Sequence, residues 1–165
     1  MNHNVMKISA ITTGFIEVPG KISLNIYVQG CKMACKGCQN TELQTFSGGT
    51  PVSIEDIPNI SEKFRLPTWV CWLGGDAIYQ SDAFMAFNTM FKKYGYNICL
   101  YTGMQFDEIT ELLDDVDLVV DGPWEENNGT VSKETTNQKV YLKSGNNWKN
   151  VKFNELKQLI GGEKK

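Results

Sequence analysis

The chain contains 165 residues, with a formal net charge of −3, 41% hydrophobic residues and 21% charged residues. These values are typical of one globular domain, which we expect to span residues 1–165, and they leave no room for a complete eight-unit barrel of about 250 residues. The negative charge offers no basic field for nucleic acid, and no apolar run approaches the roughly 18 residues that cross a membrane. Residues 1–4 lack a signal-peptide pattern, and five cysteines with three clustered suit a reducing compartment, so we expect a cytoplasmic protein.

Apolar periodicity predicts strands at six places: residues 5–11, 22–29, 68–73, 97–101, 117–121 and 140–142. Helices are predicted from about residues 54 and 81, over residues 106–113, and in a terminal segment from residue 153 that precedes a charged tail at residues 163–165. Loops are predicted at residues 47–51 and 124–137. Alternating strands and helices indicate an α/β fold, with a mostly parallel sheet and outer helices.

A loop after the second predicted strand carries the most specific signal. Cys31, Cys35 and Cys38 stand there with three and then two intervening residues. Zinc fingers and ribbons normally add a second cysteine pair or histidines, but no second CxxC follows, and His3 is the only histidine. Three thiolates on one short loop are typical of a 4Fe-4S cluster whose fourth iron has no protein ligand.

A zinc site completed by Cys71 or Cys99 is the alternative to a cluster. Both residues lie inside apolar predicted strands, where a free cysteine normally behaves as a small buried hydrophobe. We therefore favour the iron–sulfur interpretation. Lys32 and Lys36 are adjacent to the loop cysteines and can offset the negative charge of a thiolate-bound cluster.

Short motifs follow the later strands: Gly74-Gly75-Asp76, Tyr101-Thr102-Gly103, Val120-Asp121-Gly122 and Thr136-Asn137-Gln138. Together with the CxxxCxxC loop, they make the chain resemble radical S-adenosylmethionine (radical SAM) enzymes from about residue 14 to residue 142. Within that superfamily it resembles the glycyl-radical-enzyme activases, specifically those of anaerobic ribonucleotide reductase. The resemblance implies a partial (βα) barrel of the radical SAM type, with a curved sheet that is open on one side.

The resemblance also implies two cofactors, a 4Fe-4S cluster and S-adenosylmethionine. It places the cluster on the three loop cysteines and S-adenosylmethionine on Gly74, Gly75 and Asp76. The glycines would let the methionine end of S-adenosylmethionine approach the backbone, and the carboxylate of Asp76 would receive its ammonium group. Ala77 stands where the family usually has proline.

Gly37, Cys38 and Gln39 form the second cofactor-binding group that the resemblance implies. The small residue Gly37 would leave room for the adenine, and Gln39 lies at the edge of the loop. Tyr101 and Asp121 end consecutive predicted strands, so their side chains could line the same rim of the site, but turn chemistry explains them equally well. Asn137 has no chemistry that its residue type reveals.

The expected activity is removal of a hydrogen atom from a backbone glycine in a partner enzyme. By resemblance, the partner is the large subunit of anaerobic ribonucleotide reductase, and the electron comes from a reductant such as flavodoxin. The reacting agent would be a 5′-deoxyadenosyl radical, so we assign no catalytic side chain. Two alternatives are a radical SAM enzyme that acts on a small molecule, as in deazaguanine synthesis, and a non-catalytic zinc-binding module.

Overall fold

The computed structural model describes residues 2–161, so the predicted tail at residues 163–165 lies outside the described part. Its centre is a mixed sheet of eight strands in the order β3-β1-β2-β4-β5-β6-β7-β8. Numbered along the chain, the strands are β1 (Val5–Gly14), β2 (Ser23–Val28), β3 (Thr50–Ser53), β4 (Trp69–Gly74), β5 (Asn97–Tyr101), β6 (Leu118–Asp121), β7 (Lys139–Ser144) and β8 (Asn147–Val151).

The four central strands, β2, β4, β5 and β6, run parallel. On each side the sheet continues with antiparallel strands, β1 and β3 on one flank and β7 and β8 on the other. The expectation of a mostly parallel sheet is therefore wrong outside the centre, since more neighbouring pairs are antiparallel than parallel. The α/β class is confirmed, while closure toward a partial barrel stays a prediction.

Four short helices connect or flank the strands: α1 (Ile57–Lys63), α2 (Ser81–Lys93), α3 (Phe106–Ile109) and α4 (Leu156–Gly161). The helix predicted at residues 106–113 divides into α3 and a 3-10 turn, Thr110–Leu112. Gly95 follows α2 with φ +83°, a left-handed conformation that stops the helix. Within the described residues, no helix is both long and apolar enough to cross a membrane.

The two faces of the sheet are covered differently. On one face, α2 places Phe84, Phe87 and Phe91 against the ring of Trp72, with centroid separations of 5.7, 6.1 and 6.2 Å. The opposite face packs the connection between β1 and β2 and the helix α4 over the strand centres; its buried residues are Val18, Trp69, Cys71, Cys99, Leu118, Val120, Val140 and Leu156. This second face leads to the site.

Candidate metal and cofactor site

The carboxyl ends of the parallel strands meet at one cavity of about 380 Å³. β2 leads into the cysteine loop, β4 into Gly74-Gly75-Asp76, and β5 into Thr102-Gly103. In open parallel sheets, ligand sites gather at this edge. The cavity brings together seven of the eight predicted cofactor and metal residues: Cys31, Cys35, Cys38, Gln39, Gly74, Gly75 and Asp76.

Gly37 is the predicted residue that does not line the cavity. A Cβ atom added there would lie 3.0 Å from the carboxyl group of Glu126, because the segment after β6 lies over the cysteine loop. Gly37 also has φ +73°, which favours glycine. Its contact and backbone angle account for a small residue at this position, and its proposed relation to an adenine stays a prediction.

Hydrogen bonds to residues 43–45 fix the start of the cysteine loop. The N–H of Gly30 donates to the carbonyl of Leu43 at 2.7 Å, and the N–H of Cys31 donates to the carbonyl of Gln44 at 3.0 Å. The side chain of Gln29, 4% exposed, donates to the carbonyl of Thr45 at 2.7 Å. The segment that follows the loop therefore holds the residues around the first cysteine in position.

Two backbone N–H groups point at loop sulfurs. The N–H of Met33 lies 3.4 Å from Sγ of Cys31, and the N–H of Asn40 lies 3.4 Å from Sγ of Cys38. Burial raises the pKa of the Cys31 thiol, and the bond from Met33 opposes this rise. Hydrogen bonds of this kind favour the thiolate, the form that binds iron.

The three thiols do not converge on one point: among residues 2–161, no three His, Cys, Asp or Glu side chains are close enough to hold a single metal ion. A four-iron cluster needs a different arrangement, because each thiolate ligates a separate iron at the corner of a larger group. Cys31, Cys35 and Cys38 are all partly exposed on the wall of one cavity, which fits that requirement.

The bend after β4 approaches the cysteine loop at backbone distance. A Cβ atom at Gly74 would lie 2.8 Å from the backbone nitrogen of Val28, and one at Gly75 would lie 2.5 Å from the carbonyl oxygen of Gly30. Gly74 also has φ +97°. The space that both glycines provide is thus taken by the end of β2, so close packing of two strand ends already requires them.

Asp76 is 1% exposed, and both of its carboxylate oxygens have partners within the protein. Oδ2 accepts from the hydroxyl of Thr102 at 2.8 Å and from the N–H of Gly103 at 2.9 Å, and Oδ1 accepts from the N–H of Ile78 at 3.1 Å. Burial raises the pKa of Asp76, and these three hydrogen bonds oppose the rise. The side chain joins the ends of β4 and β5, which the sequence interpretation did not anticipate.

Sequence reasoning missed several residues that line the cavity. Glu17 and Trp124 are among them, and the indole N–H of Trp124 is a buried donor without a partner among the described residues. Unpartnered buried donors are rare in folded proteins, and one at a cavity wall suits a site that accepts a further group. Trp124 directly follows the Asp121-Gly122-Pro123 turn, a position that could have identified it.

Tyr101 and Asp121 both have structural contacts. The hydroxyl of Tyr101 donates to the carbonyl of Glu17 at 2.8 Å, which fixes the connection between β1 and β2 at the cavity. Asp121 is 2% exposed and accepts from the N–H groups of Phe106 at 2.8 Å and Lys139 at 3.1 Å. Asn137 donates to the carbonyl of Pro123 at 2.9 Å. These contacts explain the later motifs as supports of the site.

The lysines beside the cysteines differ in their surroundings. Nζ of Lys32 lies 5.9 Å from the ring centroid of Phe46 and 6.0 Å from that of Tyr79. Lys36 is exposed. A cation held over two aromatic rings keeps its charge next to the loop, so Lys32 suits the predicted electrostatic support of an anionic cluster better than Lys36 does.

Comparison with known proteins assigns the class of this site. The chain belongs to the family described as the 4Fe-4S single cluster domain, whose model matches residues 18–142. The matched segment contains the cysteine loop and all the predicted site residues. The iron–sulfur interpretation is thereby supported over zinc, and Cys71 and Cys99, the proposed additional zinc ligands, are fully buried in the sheet, where they do not line the cavity.

Two curated relatives make the assignment within this family more specific. The chain is 32% identical over 116 residues to the pyruvate formate-lyase 1-activating enzyme of Escherichia coli (strain K12), a match that covers 65% of this chain and 47% of that enzyme. It is 25% identical over 146 residues to the anaerobic ribonucleoside-triphosphate reductase-activating protein of Enterobacteria phage T4, covering 82% of this chain and 92% of that protein. The resemblance to radical SAM activating proteins is confirmed, although the chain spans about half the length of the Escherichia coli enzyme.

The fold has a counterpart among solved structures. QueE from Escherichia coli superimposes with a TM-score of 0.53 at 14% sequence identity, over 60% of this chain and 53% of that chain. At this identity the likeness concerns the fold alone.

Proposed function

We propose that this chain activates the large subunit of an anaerobic ribonucleotide reductase by generating a glycyl radical in it. The observation that carries the proposal is one cavity that the three loop cysteines, Gly75 and Asp76 all line. Support for this partner comes from the phage T4 relative, which aligns with the chain over most of both lengths.

In the proposed reaction, Cys31, Cys35 and Cys38 would hold a 4Fe-4S cluster, and S-adenosylmethionine would bind in the same cavity. When bound, these groups would supply a 5′-deoxyadenosyl radical by one-electron cleavage of the sulfonium bond, with methionine as the second product and a reductant such as flavodoxin as the electron source. Loss of one hydrogen atom from the partner's glycine would leave the glycyl radical, with 5′-deoxyadenosine as the second product.

This chain's own residues would bind and orient S-adenosylmethionine. Gly74, Gly75 and Gln39 would contact S-adenosylmethionine, as predicted from the sequence. For Asp76 we propose an indirect part: its oxygens hold Thr102 and Gly103, so it positions the end of β5 as a cavity wall. If Asp76 also contacted the ammonium group of S-adenosylmethionine, one of its oxygens would have to accept an additional hydrogen bond.

Electron paramagnetic resonance after anaerobic mixing tests the function. The reconstituted and reduced protein is mixed with S-adenosylmethionine and the large subunit of anaerobic ribonucleotide reductase. The expected result is the doublet of a glycyl radical, which disappears when the acceptor glycine is replaced by alanine. Formation of 5′-deoxyadenosine with a small-molecule product and no glycyl signal would instead favour the small-molecule enzyme. A cytoplasmic location stays a prediction.

A further inference from the structure

A second cavity of about 460 Å³ opens beside the first, and Val131 and Gln138 line both. One wall is the segment of residues 131–139; the other is formed by the end of β8 and the 3-10 turn Phe153–Glu155. The side chain of Asn154 donates to the carbonyl of Ser132 at 3.2 Å, which joins the two walls. We refer to this second cavity as a groove; it meets the thiol-lined cavity at Val131 and Gln138.

The groove has the opposite charge to the chain as a whole. Lys133, Lys139 and Lys152 line it, against the single carboxylate of Glu134, whereas the whole chain carries −3. All three lysines are exposed, and none forms an ion pair with any residue in the range 2–161. Their charges are therefore available to an anionic partner. We call this feature, defined by these three residues, the lysine groove.

We propose that the lysine groove binds a carboxylate-bearing stretch of the partner polypeptide, next to the glycine that reacts. The inference rests on the proposed function, because a polypeptide whose glycine enters the first cavity must leave it again on either side. An extended chain advances about 3.3 Å per residue. Positions a few residues from the glycine would therefore reach Val131 and Gln138, where the two cavities meet. Lysines around such a path attract and orient carboxylates.

The limits of the family match support a partner-specific role. The match ends at residue 142, so one wall of the groove, residues 150–154, lies beyond the shared 4Fe-4S domain. The amide side chains of Asn150 and Asn154 add hydrogen-bonding capacity to that wall. A wall outside the cluster-binding segment can differ between proteins without changing the cluster ligands, which suits the recognition of a particular partner.

A peptide-binding measurement tests the lysine groove. Two fluorescein-labelled peptides of about 12 residues, each with a central glycine, carry either four glutamates or four glutamines on one side of that glycine, and anisotropy is followed with the full chain at low salt. The test variant is K133E/K152E, and the matched control is K63E/K93E, which makes the same charge change on the outer helices α1 and α2.

The wild-type chain is expected to bind the glutamate peptide about tenfold more tightly than the glutamine peptide, and high salt should remove the difference. K133E/K152E should lose this preference, and K63E/K93E should keep it. Equal affinity for the two peptides, or equal losses in the two double variants, would overturn the inference. So would tighter binding of a single-stranded DNA of similar length, because the groove would then be a general polyanion site.

Kinetics with the partner separate this inference from the proposed function. K133E/K152E should retain wild-type iron content and should raise the KM for the partner about tenfold without lowering kcat. Absence of a glycyl radical with the wild-type protein would reject the proposed function, whatever the peptides do. If the wild-type protein forms the glycyl radical but K133E/K152E has an unchanged KM for the partner, only the inference about the lysine groove is rejected.

Discussion

A Cβ atom at Gly75 would lie 2.5 Å from the carbonyl oxygen of Gly30, so the bend after β4 rests directly on the residue that precedes the first cysteine. Two hydrogen bonds reinforce the contact. The N–H of Gly75 donates to the carbonyl of Val28 at 2.8 Å, and the N–H of Asp76 donates to the carbonyl of Gly30 at 2.9 Å. The bend and the cysteine loop therefore form one unit, and a change in either is transmitted to the other.

Gly75→Ala is expected to destabilise the protein and to disturb the cysteine loop. Backbone atoms oppose the added methyl group, and they move less readily than a side chain, so we expect a loss of about 1–3 kcal/mol in the free energy of unfolding. Urea unfolding of the metal-free protein measures the loss, and iron analysis after reconstitution measures the effect on the loop.

Gly161→Ala is the control for this prediction. A Cβ atom there would meet nothing within 4 Å, and the residue lies at the end of α4. Its stability and iron content should stay close to those of the wild type. If the two alanine variants have the same stability and iron content, the close approach of Gly75 to Gly30 does not determine the conformation of the cysteine loop.

Asp76 should give the metal-free protein a pH dependence that Asp76→Asn lacks. Burial raises the pKa of Asp76 above 3.8, so the folded state retains a proton that the unfolded state has already lost. As the pH rises from 3.8 through the folded-state pKa, this group therefore removes stability, by at most about 1.4 kcal/mol per pH unit. Below 3.8 both states are protonated and its contribution is constant.

Thermal unfolding at a series of pH values compares the two proteins. As the pH rises above 3.8, the unfolding temperature of the wild type should fall relative to that of Asp76→Asn. Parallel curves across the whole series would mean that the carboxyl group titrates alike in the folded and unfolded states.

Single replacement of Cys31, Cys35 or Cys38 by alanine should abolish cluster assembly and cleavage of S-adenosylmethionine in each case. One thiolate is lost from the three proposed iron ligands, and no other cysteine lines the cavity. Iron and sulfide content and the visible absorbance after anaerobic reconstitution measure assembly. Cys99→Ala is the control, because Cys99 is fully buried in β5 and should leave the absorbance unchanged. Retained cleavage in a loop variant would indicate a different set of ligands.

Tyr101→Phe should loosen the connection between β1 and β2 at the edge of the cavity. The variant loses the hydrogen bond of 2.8 Å to the carbonyl of Glu17, a net contribution of about 0.5–1.5 kcal/mol. Faster amide hydrogen exchange around Val18 measures the local effect. Tyr94→Phe is the control, since Tyr94 is 48% exposed and its hydroxyl has no hydrogen-bond partner in the described part of the chain. Equal exchange in both variants would contradict the prediction.

The parallel centre of the sheet was predictable, and its flanks were only partly so. β5 has the predicted bounds, because a compact apolar run with clear ends marks a buried strand. β8 was missed, since most of its residues are polar and exposed. A two-residue turn, Gly145 and Asn146, joins it to β7 and is a hairpin signal that could have revealed it. β3 was also missed: it has only four residues, and its first two, Thr50 and Pro51, fall in the predicted loop at residues 47–51.

The composition of the site was predictable, but its internal contacts were not. Cysteine spacing and glycines after a strand are local signals, and seven of the eight residues that they pointed to line one cavity. The partners of Asp76 lie 26 and 27 residues further along the chain, at a distance that only the parallel pairing of β4 and β5 closes. The same holds for Trp124 and Glu17, whose places in the cavity depend on how distant connections fold back.

An open sheet has two outer edges, and each can pair with a strand of another molecule. Here one edge is β3, which has only four residues and includes Pro51, a residue without an N–H to donate. The other is β8, where Lys149 and Asn150 are both exposed. Both edges therefore oppose pairing with a strand of another molecule.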